Sequence, residues 1–120
     1  MNAVKDKLIA LVGEELEAAN AIYPPFASMH EGYAVLKEEV EEAKREQERA
    51  EYNLHQLWLF VRHDQPRDAK QYATKIKAQA MQLAAEAIQV AAMAEKFLAI
   101  GKDINVHSKE EKKCENTIRE

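Results

Sequence analysis

Apolar residues in the middle of the chain recur at alternating intervals of three and four, a spacing that places them on one face of an α-helix. The pattern holds over four heptads and predicts a long helix with this face directed inward. We call this set the heptad stripe; it consists of Tyr33, Leu36, Val40, Ala43, Gln47, Ala50, Leu54, Leu57 and Val61.

Proline and glycine divide the chain into three predicted helices. Pro24 and Pro25 interrupt the first helical pattern, Pro66 interrupts the second, and Gly101 closes the third. The predicted helices span 2–22, 28–62 and 68–100, within one domain over 1–101.

Polar residues indicate how two of these helices begin. Ser28 and Glu31 form a capping box, in which the serine hydroxyl accepts from the Glu31 N–H and Glu31 reaches back. Asp68 is the expected cap of the third helix. Beyond Gly101 the residues are too polar to pack well, so 102–120 is predicted to be a polar tail, a frayed helix or disorder.

The second predicted helix is too long for this chain to cover alone. A helix over 28–62 is about 50 Å long. Either it bends near Gln47, or a second copy packs against it. We therefore expect an all-α bundle of long helices completed by oligomerisation, as a homodimer or tetramer.

Composition and charge narrow the possibilities further. Ala, Glu, Lys, Leu and Arg make up 63 of the 120 residues, which is typical of long helices and disfavours sandwiches and barrels. The net charge of −4 gives no general attraction to a nucleic acid duplex. No apolar run is long enough to cross a membrane or act as a signal peptide. With the single Cys114 unable to form an internal disulfide, we expect a cytoplasmic protein.

A run of carboxylates surrounds one valine of the heptad stripe. Glu39 and Glu42 fall on one flank of the stripe, and Glu38 and Glu41 fall on the other, more exposed flank. A carboxylate pair three residues apart at a core boundary suits Mg²⁺, which prefers hard oxygen ligands. The alternative is a solvated acidic face balanced by the neighbouring basic residues.

Glu86 is the only charged residue between Ala78 and Ala94. Because an unpaired buried carboxylate is costly, it is normally paired or bound to a metal. Gln89 lies on the same flank of the third helix as Glu86. Together they would form a pair that faces Glu39 and Glu42 and shares a metal ion with them. The alternative is a salt bridge or hydrogen bond between Glu86 and a neighbouring side chain.

Two segments carry a family resemblance. HEGYAVLKEEVEEA over 30–43 and EAIQVAAMAEKF over 86–97 resemble the MazG-like nucleotide pyrophosphohydrolases, most of all the short phage and prophage members. The resemblance implies an all-α, oligomeric enzyme that uses Mg²⁺ to split a nucleoside triphosphate or dNTP into monophosphate and pyrophosphate. It covers about 70 residues of the second and third helices.

The resemblance also implies roles for individual residues. The family's Glu-Glu-x-x-Glu motif falls on Glu38, Glu39 and Glu42, and its Glu-x-x-Asp motif falls on Glu86, with Gln89 in the Asp position. The implied metal ligands are therefore Glu39, Glu42, Glu86 and Gln89. Glutamine would bind through its carbonyl alone, more weakly than a carboxylate. Glu38 is the candidate general base.

Substrate-binding residues are chosen by the chemistry of a nucleotide. Phosphates require cations, and the candidates are Lys37, Lys96 and Lys102. A base requires an aromatic or hydrogen-bonding wall, for which the candidates are Phe26, His30, Tyr33 and Trp58. The alternative for Tyr33 and Trp58 is ordinary packing.

Two hypotheses of function follow. The first is a Mg²⁺-dependent nucleoside triphosphate pyrophosphohydrolase, weakened by glutamine at a ligand position. The second is a non-catalytic helical oligomeric scaffold, or a degenerate relative that binds nucleotide without cleaving it.

Overall fold

The computed structural model describes residues 2–101 and shows three long helices over that range. A short 3₁₀ turn, Asn2–Val4, leads into α1 (Lys5–Ile22), which is followed by α2 (Met29–Arg62) and α3 (Pro66–Leu98). The predicted all-α class is confirmed. The predicted tail, 102–120, lies outside the described residues.

The two long helices begin in different ways. At α2 the Ser28 hydroxyl accepts from the Glu31 N–H at 3.1 Å, as predicted, and the Glu31 carboxylate accepts from the Ala27 N–H. At α3 the expected cap is wrong, because the helix already begins at Pro66. Proline suits the first helical position, since its φ is fixed and its missing N–H is not needed there. Asp68 instead lies in the first turn, where its charge favours the helix dipole.

The helices are arranged as a hairpin with one added helix. A short turn joins α2 to α3, and Asp64 adopts a left-handed conformation there, with φ of 57°. α2 and α3 pack along each other, whereas α1 packs on α3 and not on α2 among residues 2–101. The described residues extend over 72 Å. None of the described helices is long and apolar enough to cross a membrane.

Only one of the two rows of the heptad stripe faces α3, although the whole stripe was predicted to face inward. That row is half-buried and consists of Leu36, Ala43, Ala50 and Leu57. The flank beside it is also buried or half-buried and includes Gly32, Val35, Glu39, Glu42, Glu46, Asn53, Gln56 and Phe60. On this flank Asn53 donates to Gln79 of α3 at 2.9 Å. The other row of the stripe is exposed and consists of Tyr33, Val40, Gln47, Leu54 and Val61.

Burial within one chain is concentrated at a single place. Ala92 and Met93 are the buried apolar residues of the described chain, and the buried polar side chain is Lys96. All three lie near the end of α3, where α1 and the start of α2 also pack. Most residues in the first half of the alanine-rich segment over 78–94 are exposed, including Met81.

Gly32 allows the start of α2 to approach the end of α3 closely. A Cβ at this position would lie 2.7 Å from Cδ2 of Phe97 and 3.1 Å from Cδ2 of Phe26. We expect Gly32→Ala to lower the free energy of unfolding by about 1–2 kcal/mol, because the overpacking outweighs the gain in helix propensity. Urea denaturation followed by circular dichroism measures the change.

Gly13 provides the matched control for this substitution. It also lies inside a helix, but a Cβ there would meet nothing within 4 Å. Gly13→Ala should therefore leave stability unchanged or raise it by up to about 1 kcal/mol. Equal effects of the two substitutions would contradict the close packing at Gly32.

Candidate metal centre

Three carboxylates from two helices converge where α2 faces α3. One oxygen each from Glu39, Glu42 and Glu86 lies within 4.8 Å of the others. We call these three residues the carboxylate cluster. On an octahedral Mg²⁺ neighbouring oxygens lie about 3.0 Å apart and opposite oxygens about 4.2 Å apart, since each Mg–O bond is about 2.1 Å. Side-chain shifts on the order of 1 Å would bring all three to a shared ion.

Two oxygens of the cluster are buried without a partner. Oε1 of Glu39 and Oε1 of Glu86 are both inaccessible to solvent and accept no hydrogen bond. The other oxygen of Glu86, Oε2, accepts from Nε2 of Gln82 at 3.0 Å, which fixes the orientation of the carboxylate. Unpaired buried carboxylate oxygens are costly, and a divalent cation would satisfy both. The residues therefore fit a bound Mg²⁺.

The electrostatics of the cluster are unfavourable in the absence of a cation. Burial raises the pKa of Glu39 above its ordinary value, and the charges of Glu42 and Glu86 raise it further. Each effect disfavours the ionised form of Glu39. A cation bound at the cluster would act in the opposite direction, because a nearby positive charge favours the ionised form of Glu39.

The raised pKa of Glu39 predicts how the stability of the metal-free protein depends on pH. Above the ordinary carboxyl value of 4.5, the folded state holds the Glu39 proton more tightly than the unfolded state does. The contribution of Glu39 to stability is therefore full below pH 4.5 and is lost as the pH rises through the higher folded value. Urea denaturation of the wild type in a chelator, from pH 4 to pH 7, should show this loss.

Glu39→Gln isolates the contribution of this group. The variant has no carboxyl group to titrate, so its stability relative to the wild type should increase across the same pH range. A constant difference between the two proteins would contradict the raised pKa. Saturating Mg²⁺ should reduce the difference at neutral pH, because it stabilises the wild type by mass action.

A cleft of about 520 Å³ adjoins the cluster between α1 and the two long helices. Its walls carry both acidic and basic groups. Gln89 and Lys96 line it from α3, Glu39 lines it from α2, Glu15 lines it from α1, and Phe26 lines it from the connection between α1 and α2. A ligand bound at the carboxylate cluster would extend into this cleft.

The structure brings together only part of the predicted site. Glu39, Glu42, Glu86 and Gln89 lie at or beside the cleft, as does Lys96. Glu38 is exposed on the neighbouring flank of α2. Phe26 also lines the cleft. The other substrate-binding candidates among residues 2–101 do not line it, and Lys102 lies outside the described residues.

The other candidates are directed away from the cleft or are too far from it. Lys37 is exposed and forms an ion pair with Glu41 on the same face of α2. Tyr33 belongs to the exposed row of the heptad stripe, and His30 is exposed in the first turn of α2. Trp58 is 16 residues beyond Glu42, about 24 Å along the helix, and therefore cannot reach a ligand at the cluster of the same chain.

Two polar residues near the site were not predicted. Glu15 is half-buried and lines the cleft, and its charge also raises the pKa of Glu39. Its position was readable in the sequence, because Val12, Leu16 and Ala19 share its helical face. Gln82 had a similar signal, since it lies four residues before Glu86.

Comparison with known proteins found no protein that is similar to this chain. No protein-family model matches the chain, no curated protein is significantly similar in sequence, and no solved structure is significantly similar in fold.

Proposed function

We propose that this chain is a Mg²⁺-dependent nucleoside triphosphate pyrophosphohydrolase of the MazG-like type. The observation that carries the proposal is the carboxylate cluster with its two buried, unpartnered oxygens. The resemblance selects the same three residues from two separate sequence motifs. Their approach in space is what a shared metal ion requires.

The chemistry assigned to the site is metal-assisted hydrolysis. A bound Mg²⁺ would neutralise phosphate charge and lower the pKa of a coordinated water molecule. Glu39, Glu42 and Glu86 would hold the ion, and the Gln82 amide would keep the Glu86 carboxylate in position. Glu38, next to Glu39 on the exposed side, is the proposed base that orients the attacking water.

Incubation with a panel of nucleoside triphosphates and deoxynucleoside triphosphates tests the proposed activity. With Mg²⁺ present, at least one of them should yield pyrophosphate and the monophosphate. A chelator should stop the reaction. If no nucleotide yields pyrophosphate and none raises the melting temperature, the proposal is wrong.

Gln89 favours a second candidate function, a site that binds metal and nucleotide without cleaving it. Glutamine contributes a neutral carbonyl where a fourth carboxylate would strengthen the metal site. The same panel separates the two functions. A nucleotide that raises the melting temperature without forming product would indicate a binding protein.

Substitution of Gln89 tests whether the centre lacks a carboxylate. We expect Gln89→Asp to tighten Mg²⁺ binding about tenfold, because it adds a charged oxygen ligand beside the cluster. Isothermal titration calorimetry measures the affinity.

Glu15 and its neighbour Glu14 offer a matched pair for the same measurement. Glu15→Gln should weaken Mg²⁺ binding severalfold through the loss of a cleft-facing charge, whereas Glu14, which is exposed, should tolerate the same change. Unchanged affinity in both Gln89→Asp and Glu15→Gln would exclude these residues from the centre.

The proposed function includes self-association through the heptad stripe. Leu54 and Val61 of the stripe form an exposed apolar surface at the end of α2 together with Trp58, which lies beside the stripe. Tyr33 and Val40 of the stripe are exposed nearer the start of the helix. Heptad spacing is the pattern by which one long helix packs against another. Because few apolar side chains are buried within one described chain, we propose a second copy as the partner.

A further inference from the structure

Lys96 is buried without an acidic partner. Only 6% of its surface is exposed, although lysine is almost never buried unless it is paired. The ion pairs within residues 2–101 join Lys37 to Glu41 and Arg49 to Glu46, so neither involves Lys96. Its Nζ lies 4.8 Å from the centre of the Phe26 ring. The buried side-chain atoms without a partner in the described residues do not include this Nζ, so the stem of Lys96 is buried while its ammonium group keeps contact with solvent.

Lys96 is part of the wall of the cleft that adjoins the carboxylate cluster. It lines the cleft beside the carboxylate cluster, and together with Phe26 it also lines an adjoining cleft of about 660 Å³. It follows Glu86 of the cluster by ten residues, which corresponds to about 15 Å along α3. A lysine side chain that extends about 6 Å back toward the cluster would leave about 9 Å, which is comparable with the reach of a metal-bound chain of two or three phosphates.

Other acidic groups in the cleft do not satisfy the ammonium. Glu15 and Glu31 line the same cleft, but neither ion pair within residues 2–101 involves Lys96. The Glu31 carboxylate accepts a hydrogen bond from the Ala27 N–H. The cleft thus has an acidic end at the cluster and a basic group at Lys96. A ligand that carries a divalent cation and a phosphate chain matches both ends.

We propose that Lys96 is the anion-binding residue of this cleft and contacts a phosphate group of the ligand whose metal ion binds the carboxylate cluster. The identity of the ligand rests on the proposed function, but the anion site does not require metal. Inorganic pyrophosphate in the presence of a chelator is therefore a suitable probe. It contains the phosphates and lacks both the nucleoside and the metal.

The test compares Lys96→Met with Lys75→Met in calorimetric titrations with pyrophosphate. Methionine retains the length and apolar stem of lysine without its charge, so the folded structure should be retained. Lys75 is the matched control, because its Nζ lies over the Tyr72 ring at 4.4 Å but away from the cleft. Circular dichroism and melting curves verify folding.

We expect wild type and Lys75→Met to bind pyrophosphate with similar affinity. The metal-site variant Glu86→Gln should bind it at least as tightly, because it removes a negative charge near the anion. Lys96→Met should bind at least about tenfold more weakly, and Lys96→Arg should retain most of the affinity. Equal binding by Lys96→Met and wild type, or no binding by wild type, would overturn the proposal.

The result is separable from the result for hydrolysis. If Lys96 binds pyrophosphate but no nucleotide is cleaved, the anion site stands and the enzymatic proposal fails. If nucleotides are cleaved and Lys96→Met binds pyrophosphate normally, the enzymatic proposal stands and Lys96 has no role in anion binding.

Discussion

Glu86→Gln is expected to abolish Mg²⁺-dependent pyrophosphate release, with a loss of at least about a hundredfold in kcat/KM. Glutamine keeps the shape of the side chain and can still bind the Gln82 amide through its carbonyl oxygen. It removes the charged oxygen that is buried and unpartnered in the cluster. The loss should therefore come from the metal site rather than from misfolding. A continuous assay for pyrophosphate measures it.

Stability distinguishes a lost ligand from a damaged fold. Without metal, Glu86→Gln should be at least as stable as wild type, because it removes a buried charge that has no cationic partner. With saturating Mg²⁺, wild type should gain stability and the variant should not. Glu48→Gln, a change of an exposed residue on α2, is the control and should retain full activity. A fully active Glu86→Gln would contradict the proposed role of the cluster.

Leu54→Asp combined with Trp58→Asp is expected to convert an associated protein into monomers. Both side chains are more than half exposed in one chain, at 58% for Leu54 and 52% for Trp58. In a complex of two copies, these residues would be buried, and charges at such positions leave unpaired carboxylates in an apolar contact. We expect the dissociation constant to rise at least about a hundredfold. Analytical ultracentrifugation over a range of concentrations measures it.

Tyr52→Asp is the control for this surface. Tyr52 lies on the same helix and is 63% exposed, but it is two residues from Leu54 and therefore points about 160° away. Its replacement should leave the mass of the assembly unchanged. If wild type is monomeric at all concentrations, or if Tyr52→Asp and the double variant behave alike, the heptad stripe is not the interface.

The sequence predicted the local features of the fold because they depend on neighbouring residues. Proline pairs interrupt helices through sterics and a missing N–H, and the Ser28 cap follows from a bond over three positions. The three helices are therefore readable from the chain alone. The start of α3 was misplaced because Pro66 was interpreted as a break and not as the first helical residue.

The spacing of apolar residues did not predict which side of α2 packs against α3. The predicted stripe contains two rows of residues, and the spacing does not show that only the row of Leu36, Ala43, Ala50 and Leu57 is half-buried. The structure instead directs polar positions such as Glu39, Glu42 and Asn53 toward α3, where Gln79 and Glu86 lie opposite. Hydrophobic pattern identifies a surface that is suited to burial, but it does not identify which partner covers it.

The sequence predicted the parts of the candidate site that lie three or four residues apart on one helix. It did not predict the parts that depend on contacts between helices. The pairing of Glu39 with Glu42 follows from helix geometry. For Glu86 the sequence left open a shared metal ion or a salt bridge or hydrogen bond, and the family resemblance favoured the metal ion. Trp58 was named for its chemistry without a distance, and α2 places it about 24 Å along the helix from Glu42. Glu15 was missed because α1 carries no motif of the family.

Direct titration of the wild-type protein with Mn²⁺, as a spectroscopic substitute for Mg²⁺, tests the metal centre most directly. Electron paramagnetic resonance distinguishes free from bound ion and gives the number of sites. We expect saturable binding that Mg²⁺ displaces and that is lost in the triple variant Glu39→Gln, Glu42→Gln, Glu86→Gln. Absence of saturable binding in wild type, or equal binding by the triple variant, would contradict a metal centre at these three carboxylates.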